Sequence, residues 1–364
     1  MRVIIIIFII FIVIVIILLG MQFFKSKTRM LNDITIYDQM FKKKNQQLNY
    51  LIGENYLGMS PKINNYIKYN NWDFSNYSSE NSNLEKDLSL KHNIDSSNIL
   101  LNNGILSIIP IILDNYTSYK DVVICSKPSW YIFYYYCKLF NLHIKYANQI
   151  IRNNELKINF KNIKNKICNK TKIIYLIMPI IHDEFINFIK TISKDILIII
   201  DCCYDDFITY DNKLKISDIV NDYNVIAIYS FSKFYALANL QIGYIITNSY
   251  NIKLIKSYLY AVPKFKENIA YVALNDKNHN NKIKSYYDNQ KIEIVKFLKN
   301  NQINYIDSYQ NYFYVKINNI DEYKKKLEDI NIDYDYMSEL KGYILFYIDS
   351  PMINNKILKI LKNL

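Results

Sequence analysis

Short runs of consecutive apolar residues separate segments of helical periodicity along much of the chain, and they constrain the fold more than any other feature. Four of these runs read KIIYLIM (172–178), DILIIID (195–201), VIAIYSFS (225–232) and IGYIITN (242–248). A strand with one solvated face alternates apolar and polar residues, so uninterrupted runs indicate strands covered on both faces. The alternation of such strands with helices predicts an α/β architecture.

The chain has 364 residues, more than one compact core usually organises, so a large domain and a smaller one are expected. The alternating strands and helices place the large domain at residues 51–284. From residue 285 the pattern changes to two strand-like segments, a Lys/Glu helix at 321–329 and a last helix after Pro351. Residues 285–364 are therefore predicted to form a small α+β C-terminal domain.

The N-terminal segment stands apart because residues 3–21 carry no polar side chain. A helix that spans a bilayer needs roughly 20 apolar residues, so we predict a single-pass anchor in the membrane. A cleaved signal peptide is the alternative, although its apolar core is usually shorter, about 7–15 residues. Residues 22–50 would then form a polar tether and N-terminal arm. The basic residues that follow the span outnumber those before it, which favours a cytosolic soluble domain: Lys25, Lys27 and Arg29 against Arg2.

The net charge of +12 raises the question of a nucleic-acid partner. The basic residues are scattered, and no dense Lys/Arg block with regular aromatic interleaving occurs, so nucleic-acid binding is not expected. Five cysteines without CxxC spacing and four scattered histidines predict neither a metal site nor a disulfide framework. A reducing compartment fits this cysteine pattern.

Polar side chains gather where two of the predicted buried strands end. Asp201 ends DILIIID and is followed three residues later by Tyr204, and the next strand ends in Ser230-Phe231-Ser232-Lys233. Ligands of such sheets bind beyond the carboxyl ends of the strands. This set of groups suits pyridoxal phosphate: the amine forms a Schiff base with the aldehyde, the acid keeps the pyridine nitrogen protonated, and the hydroxyls hold the phosphate.

Each of these groups also has an ordinary interpretation. A lysine after a strand is most often a solvated loop cation, and an aspartate at a strand end is usually a turn or cap residue. Ser230 and Lys233 formally match the Ser-x-x-Lys motif of serine acyl-enzymes, but neither Ser-Asp-Asn nor Lys-Thr-Gly accompanies it.

The segment SFSKFYALANLQIGY (230–244) resembles the lysine segment of the histidinol-phosphate aminotransferase group, within the class I/II, fold-type I aminotransferases. The resemblance extends in the same order from about residue 50 to the C-terminus. Further matching stretches are ENYLGMSPK (54–62), ILLNNG (99–104), Pro128-Ser129-Trp130 and DCCYDDF (201–207). It implies a three-layer αβα large domain, a small C-terminal domain, pyridoxal 5'-phosphate as cofactor and a homodimer.

The resemblance also implies roles for individual residues. Lys233 would carry the cofactor and move a proton between the substrate Cα and the cofactor C4′. Asp201 would contact the ring nitrogen, Tyr204 the 3′ oxygen, and Trp130 would stack on the ring. The residues implied at the cofactor phosphate are Ser230, Ser232, Gly104, Ile105, Gln241 and, from the neighbouring subunit, Tyr77.

The sequence departs from the family at positions that bind anions or the cofactor oxygen. The family's arginine on the cofactor phosphate is replaced by Gln241, and its asparagine on the 3′ oxygen by Ile181. The arginine for the substrate carboxylate falls on Phe346, and a second arginine position falls on Asp335. Ile105 and Leu106 stand where the family has a serine and an acid. Charge-assisted bonds of this kind are worth about 1.5–3 kcal/mol each, so carboxylate binding is weakened.

Two functions follow from this balance. The first is a pyridoxal-phosphate-dependent aminotransferase that acts on an unusual amine or amino acid. The second is a catalytically degenerate protein of the same fold, tethered to the membrane and used for structure or interaction. A decarboxylase or lyase of the same fold is a third possibility, although it too would need a carboxylate clamp.

Overall fold

The computed structural model describes residues 48–49, 53–70, 72, 74–75, 83–208, 212–330, 332–333 and 340–363. The predicted anchor at 3–21, nearly all of the predicted tether, Tyr77 and Asp335 lie outside these ranges. No helix within the described ranges is both long enough and apolar enough to cross a bilayer.

A seven-stranded sheet forms the centre of the protein, in the order β2-β10-β9-β8-β7-β3-β4. All neighbouring pairs are parallel except those of β10, which runs antiparallel to both β2 and β9. The predicted apolar runs are strands of this sheet, so the α/β prediction is confirmed. The strands are β2 (Ile99–Asn102), β3 (Val122–Lys127), β4 (His143–Asn148), β7 (Thr171–Ile177), β8 (Leu197–Asp201), β9 (Val225–Ser230) and β10 (Gly243–Thr247).

Both faces of the central sheet are buried, which explains the uninterrupted apolar runs. Successive side chains of a strand point to opposite faces. In β8, Ile198 and Ile200 belong to the core on one face, and Leu197 and Ile199 to the core on the other. Helices cover each face, as in a three-layer αβα arrangement: α1 (Pro61–Tyr69), α2 (Asn83–His92), α3 (Ile105–Tyr116), α4 (Tyr131–Leu139), α5 (Phe160–Lys164), α6 (His182–Ile189), α7 (Ser249–Lys256) and α8 (Lys264–Asn275).

A second, five-stranded sheet has the order β14-β12-β11-β6-β5. Three of its strands come from the C-terminal part, whereas the hairpin of β5 and β6 comes from the middle of the chain. Its strands are β5 (Ile150–Arg152), β6 (Glu155–Lys157), β11 (Tyr305–Asp307), β12 (Tyr312–Lys316) and β14 (Tyr343–Tyr347). The remaining elements are α9 (Lys277–Asn300), α10 (Ile320–Glu328), α11 (Pro351–Lys362) and the short parallel pair β1 (Leu48–Asn49) and β13 (Ile332–Asp333). The division at residue 285, which falls inside α9, stays a prediction.

Candidate active site

Neighbouring strands of the central sheet bring polar side chains to one edge. Gly243, the first residue of β10, pairs with Asn102 of β2 on one side and with Ser230 of β9 on the other. Because β10 is antiparallel to both neighbours, it begins where they end. Asp201 ends the next strand, β8, and pairs with Ile228 of β9. The register therefore places Asp201 and Ser230 at the same edge, where open α/β sheets bind ligands.

The turn between β9 and β10 carries Lys233 and is fixed at both ends to the sheet. The Phe231 N–H donates to the Ile242 carbonyl oxygen at 3.1 Å, directly beyond the Ser230–Gly243 pair. Within the turn, the Leu237 N–H donates back to the Phe231 carbonyl oxygen, also at 3.1 Å. The backbone that holds the lysine is thus an extension of the sheet rather than a loose loop.

Lys233 is partly buried, and its Nζ lies 5.5 Å from the centre of the Tyr204 ring. Burial lowers the pKa of Lys233 to about 8, and the nearby Cys203, Glu54 and Asp201 oppose that shift. Asp201 therefore lies close enough to the amine to act on its charge. An amine with this pKa is a far better nucleophile at neutral pH than an exposed lysine.

Asp201 is a buried carboxylate, 7% exposed, and the protein holds both of its oxygens. The Tyr175 hydroxyl donates to Oδ2 at 2.6 Å, and the Cys203 N–H donates to Oδ1 at 3.0 Å. The Tyr175 ring in turn stacks on Phe133 at 3.8 Å between centroids. Tyr175 was absent from the predicted site, although a tyrosine within a buried apolar strand signals a hydrogen-bond partner.

Tyr204, whose ring lies near the lysine amine, belongs to a group of three tyrosines that contact one another. The Tyr204 ring lies 6.0 Å from that of Tyr312, and Tyr347 hydrogen-bonds Tyr204 and lies 5.3 Å from Tyr312 between ring centroids. Burial raises the pKa of all three phenols, so they are neutral hydrogen-bonding groups at neutral pH. Gly53, at φ +58°, approaches this group so closely that a Cβ would lie 2.7 Å from the Tyr347 ring and 3.1 Å from the Tyr204 hydroxyl.

The start of α3 forms one wall of the site. Gly104 precedes the helix at φ +89° and provides no capping side chain for the first N–H groups, which begin with Ile105. A Cβ on Gly104 would lie 3.3 Å from the carbonyl oxygen of Gln241, so the two backbones are in contact. Free N–H groups and the helix dipole make such an end suitable for an anion.

A buried polar group beside this helix end points to the same kind of ligand. Asn102 is fully buried, and neither polar atom of its side chain has a hydrogen-bond partner among the described residues. Its Oδ1 would lie 3.1 Å from a Cβ on Gly243. On the far side of Gly243, the Ser230 Oγ accepts from the Ser232 N–H at 3.1 Å, which leaves the Ser230 hydroxyl proton for another acceptor. Unpartnered buried amides are costly, so a bound group that uses Asn102 would stabilise the site.

The other positions singled out in the sequence have different surroundings. Trp130 lies at the N-terminus of α4 and packs, partly buried, on the core that also contacts Ile105. Gln241 is exposed and adopts a left-handed conformation. Ile181 forms a bridge with Lys213, and Phe346 is fully buried beside Phe313 in the core.

Comparison with known proteins gives a consistent result. Residues 41–329 match the family model described as Aminotransferase class I and II. A histidinol-phosphate aminotransferase of Staphylococcus epidermidis is 27% identical over 324 residues, which are 85% of this chain and 89% of that protein. Histidinol-phosphate aminotransferase 2 of Oceanobacillus iheyensis is 30% identical over 220 residues, or 57% of this chain, and the match spans 60% of that relative.

A solved structure has the same fold. The histidinol-phosphate aminotransferase from Sinorhizobium meliloti, in complex with pyridoxal-5'-phosphate, aligns with a TM-score of 0.75 and 17% identity. The alignment covers 86% of this chain and 89% of that one.

Proposed function

Because this chain belongs to the class I and II aminotransferases, we propose that it transfers an amino group from an amino acid or another primary amine, using pyridoxal 5'-phosphate attached to Lys233. One observation carries the proposal. A partly buried lysine with a pKa of about 8 lies at the same sheet edge as the buried carboxylate of Asp201. An ordinary solvated loop lysine would have neither that pKa nor that neighbour.

The residues present fit the cofactor. When bound, pyridoxal phosphate supplies an aldehyde for condensation with amines and a ring that withdraws electrons from the substrate Cα. Asp201 offers a fixed negative charge for the ring nitrogen. Asn102, the Ser230 hydroxyl and the free N–H groups at the start of α3 offer donors for the phosphate. The unpartnered amide of Asn102, which lies two residues before Gly104, the N-cap residue of α3, supports a phosphate at this wall.

Lys233 has a second task once the substrate amine has displaced it. Its Nζ would then be the base that accepts and releases the proton of the substrate Cα. A pKa of about 8 suits this task because the group both accepts and releases a proton near neutral pH. As the family resemblance implies, Tyr204, whose phenol stays protonated, would donate to the 3′ oxygen, and Trp130 would cover the ring.

The substrate is held without the usual arginine clamp. Phe346 is fully buried in the core, so that position cannot present a charge to a carboxylate. Among the described residues, arginine occurs only at Arg152, which is exposed on β5. Beside Lys233 lies Tyr204 instead, with the phenols of Tyr312 and Tyr347 packed on it. We therefore expect amines or amino acids that are recognised through neutral hydrogen bonds and ring contacts.

A binding and turnover experiment tests the proposal. The purified full-length protein is mixed with pyridoxal phosphate, its visible spectrum is recorded, and a panel of primary amines and amino acids is added. An absorption band above the protein band, altered by at least one amine, is the expected result. Borohydride reduction should fix the cofactor on the Lys233 peptide. A protein that stays colourless in excess cofactor and shows no label at Lys233 is instead the degenerate, non-catalytic form of this fold.

Cofactor attachment should depend on pH with a midpoint near 8. Only the neutral amine attacks an aldehyde, and burial lowers the Lys233 pKa from 10.5 to about 8. At pH 7 roughly a tenth of such amines are neutral, against less than about 0.1% for an ordinary lysine. Stopped-flow measurement of colour formation from pH 6 to 10 should therefore show a rate that rises and levels off above about 8. A rate still rising steeply beyond pH 9 would contradict the lowered pKa.

We also propose a homodimer in which Tyr77 reaches the phosphate of the neighbouring subunit, as the family resemblance implies. Light scattering of the purified protein gives its mass in solution. Tyr77→Phe should weaken cofactor binding without changing that mass.

Attachment to the membrane through residues 3–21 is a separate proposal that rests on their uniformly apolar sequence. Membrane fractionation tests it, with a variant that lacks these residues as control. Recovery of the intact protein in the soluble fraction would show that residues 3–21 do not anchor it in the membrane.

A further inference from the structure

The proposed phosphate site at the start of α3, which we call the phosphate wall, has no cation among the donors described so far. Backbone N–H groups, Asn102 and Ser230 supply neutral donors only. A phosphate monoester carries close to two negative charges at neutral pH. Gln241 is uncharged, with an exposed side chain, so that position contributes no compensating charge.

A lysine from another part of the chain lies beside this wall. Lys266 is in the first turn of α8, and its Nζ lies 3.3 Å from the Oδ1 of Asn103. Asn103 directly precedes Gly104, the N-cap residue of α3. Lys266 is half-buried, and among the described residues no carboxylate lies within 4 Å of its Nζ. Its neighbour Lys264, in contrast, pairs with Glu267 at 3.1 Å.

The position of Lys266 is unfavourable unless an anion is bound nearby. A helix N-terminus carries a partial positive charge, so cations are stabilised at the opposite end. An ammonium next to the start of α3 is repelled by that charge, and the single amide oxygen of Asn103 uses only one of its three donors. Asn102, next in sequence, independently lacks a partner. A phosphate between the ammonium and the helix would neutralise the charge of Lys266 and give the Asn102 amide a hydrogen-bond partner.

We propose that Lys266 supplies the positive charge for the cofactor phosphate, in place of the arginine that Gln241 replaces. The proposal rests on the proposed function, because it concerns the same site. Lys266 is a binding residue for the phosphate group and takes no part in the proton transfers. With Lys266 in this role, the phosphate site has a positive charge although it contains no arginine.

The test compares ligands with and without the phosphate. The fraction of the Lys233 peptide labelled after borohydride reduction is measured by mass spectrometry at increasing concentrations of pyridoxal phosphate or pyridoxal. Lys266→Met should raise the concentration of pyridoxal phosphate for half-labelling roughly 10- to 100-fold, the range for a lost charge-assisted bond. Half-labelling by pyridoxal should not change. Lys264→Met is the matched control and should leave both values unchanged, and Lys266→Arg should retain most of the affinity.

The other possible outcomes distinguish failure of the Lys266 assignment from failure of the proposed function. If Lys266→Met binds pyridoxal phosphate as the wild type does, Lys266 is not a phosphate ligand, and the proposed function still stands. If it weakens both ligands equally, the role is structural, and a lowered melting temperature would accompany it. If the wild-type Lys233 is labelled by neither ligand, the proposed function fails, and this assignment fails with it.

Discussion

Lys233→Ala should abolish amino transfer while leaving the protein folded. In the proposed reaction Lys233 both holds the cofactor covalently and moves the substrate proton, and the substitution removes both contributions. Positioned proton transfer alone contributes about 10²- to 10⁴-fold to a rate. We therefore expect turnover to fall by roughly 10³-fold or more, together with loss of the borohydride-stable label.

The folded state should tolerate this change because the buried charge of Lys233 lowers the stability of the folded protein rather than raising it. Burial lowers its pKa, which means that the folded protein disfavours the charged amine. Unfolding measured at pH 7 should give a melting temperature equal to or above that of the wild type. Lys253→Ala, which removes an exposed lysine of α7, is the matched control for loss of one positive charge. Turnover of the Lys233 variant close to that of this control would show that another lysine carries the cofactor.

Asp201→Asn should have the second largest effect. Two unit charges 4 Å apart interact by about 4 kcal/mol at an effective dielectric constant of 20, and the amide abolishes that interaction with a protonated ring nitrogen. This corresponds to roughly 10³-fold in rate. The substituted side chain still offers an oxygen to the Cys203 N–H and an amino group to the Tyr175 oxygen, so the fold should survive. Single-turnover kinetics with a reactive amine measures the loss.

Tyr175→Phe separates the charge of Asp201 from its orientation. This variant removes the 2.6 Å hydrogen bond but keeps the carboxylate. A hydrogen bond to a charged group is worth about 1.5–3 kcal/mol, so the loss should be smaller than that of Asp201→Asn. An equal or larger loss in the tyrosine variant would mean that the carboxylate acts chiefly through its position rather than through its charge.

The central fold can be predicted from the sequence because strands that are buried on both faces are uninterrupted runs of apolar residues. The runs that became β7, β8, β9 and β10 contain almost no polar residue, and each is a strand of the central sheet. The same signal located Asp201 and Lys233, since both follow such runs. It says nothing about strand direction. The antiparallel direction of β10, which aligns Gly243 with Asn102 and Ser230, became visible only in the sheet register.

The rest of the site depends on contacts between distant parts of the chain. Tyr312 and Tyr347 lie in the second sheet, more than 100 residues beyond Tyr204, and tyrosine is too common in this sequence to be distinctive by itself. Gly53 is required because its backbone is left-handed and because the Tyr347 ring occupies the space of its missing Cβ. Lys266 is one of many lysines, and its proximity to Asn103 arises from the packing of α8. Sequence patterns indicate which segments are buried, whereas the importance of these residues depends on contacts with residues far away in the chain.

The anchoring of the turn after β9 has a consequence for the reaction cycle. Hydrogen bonds between Phe231 and Ile242 and between Leu237 and Phe231 hold its backbone to the sheet. In the proposed cycle a substrate displaces the lysine, and the lysine amine can then move only as far as its own methylene chain allows. The local concentration of this base at the reacting carbon therefore stays far above that of any dissolved amine, since well-oriented intramolecular groups reach effective molarities of about 10⁵ M or more.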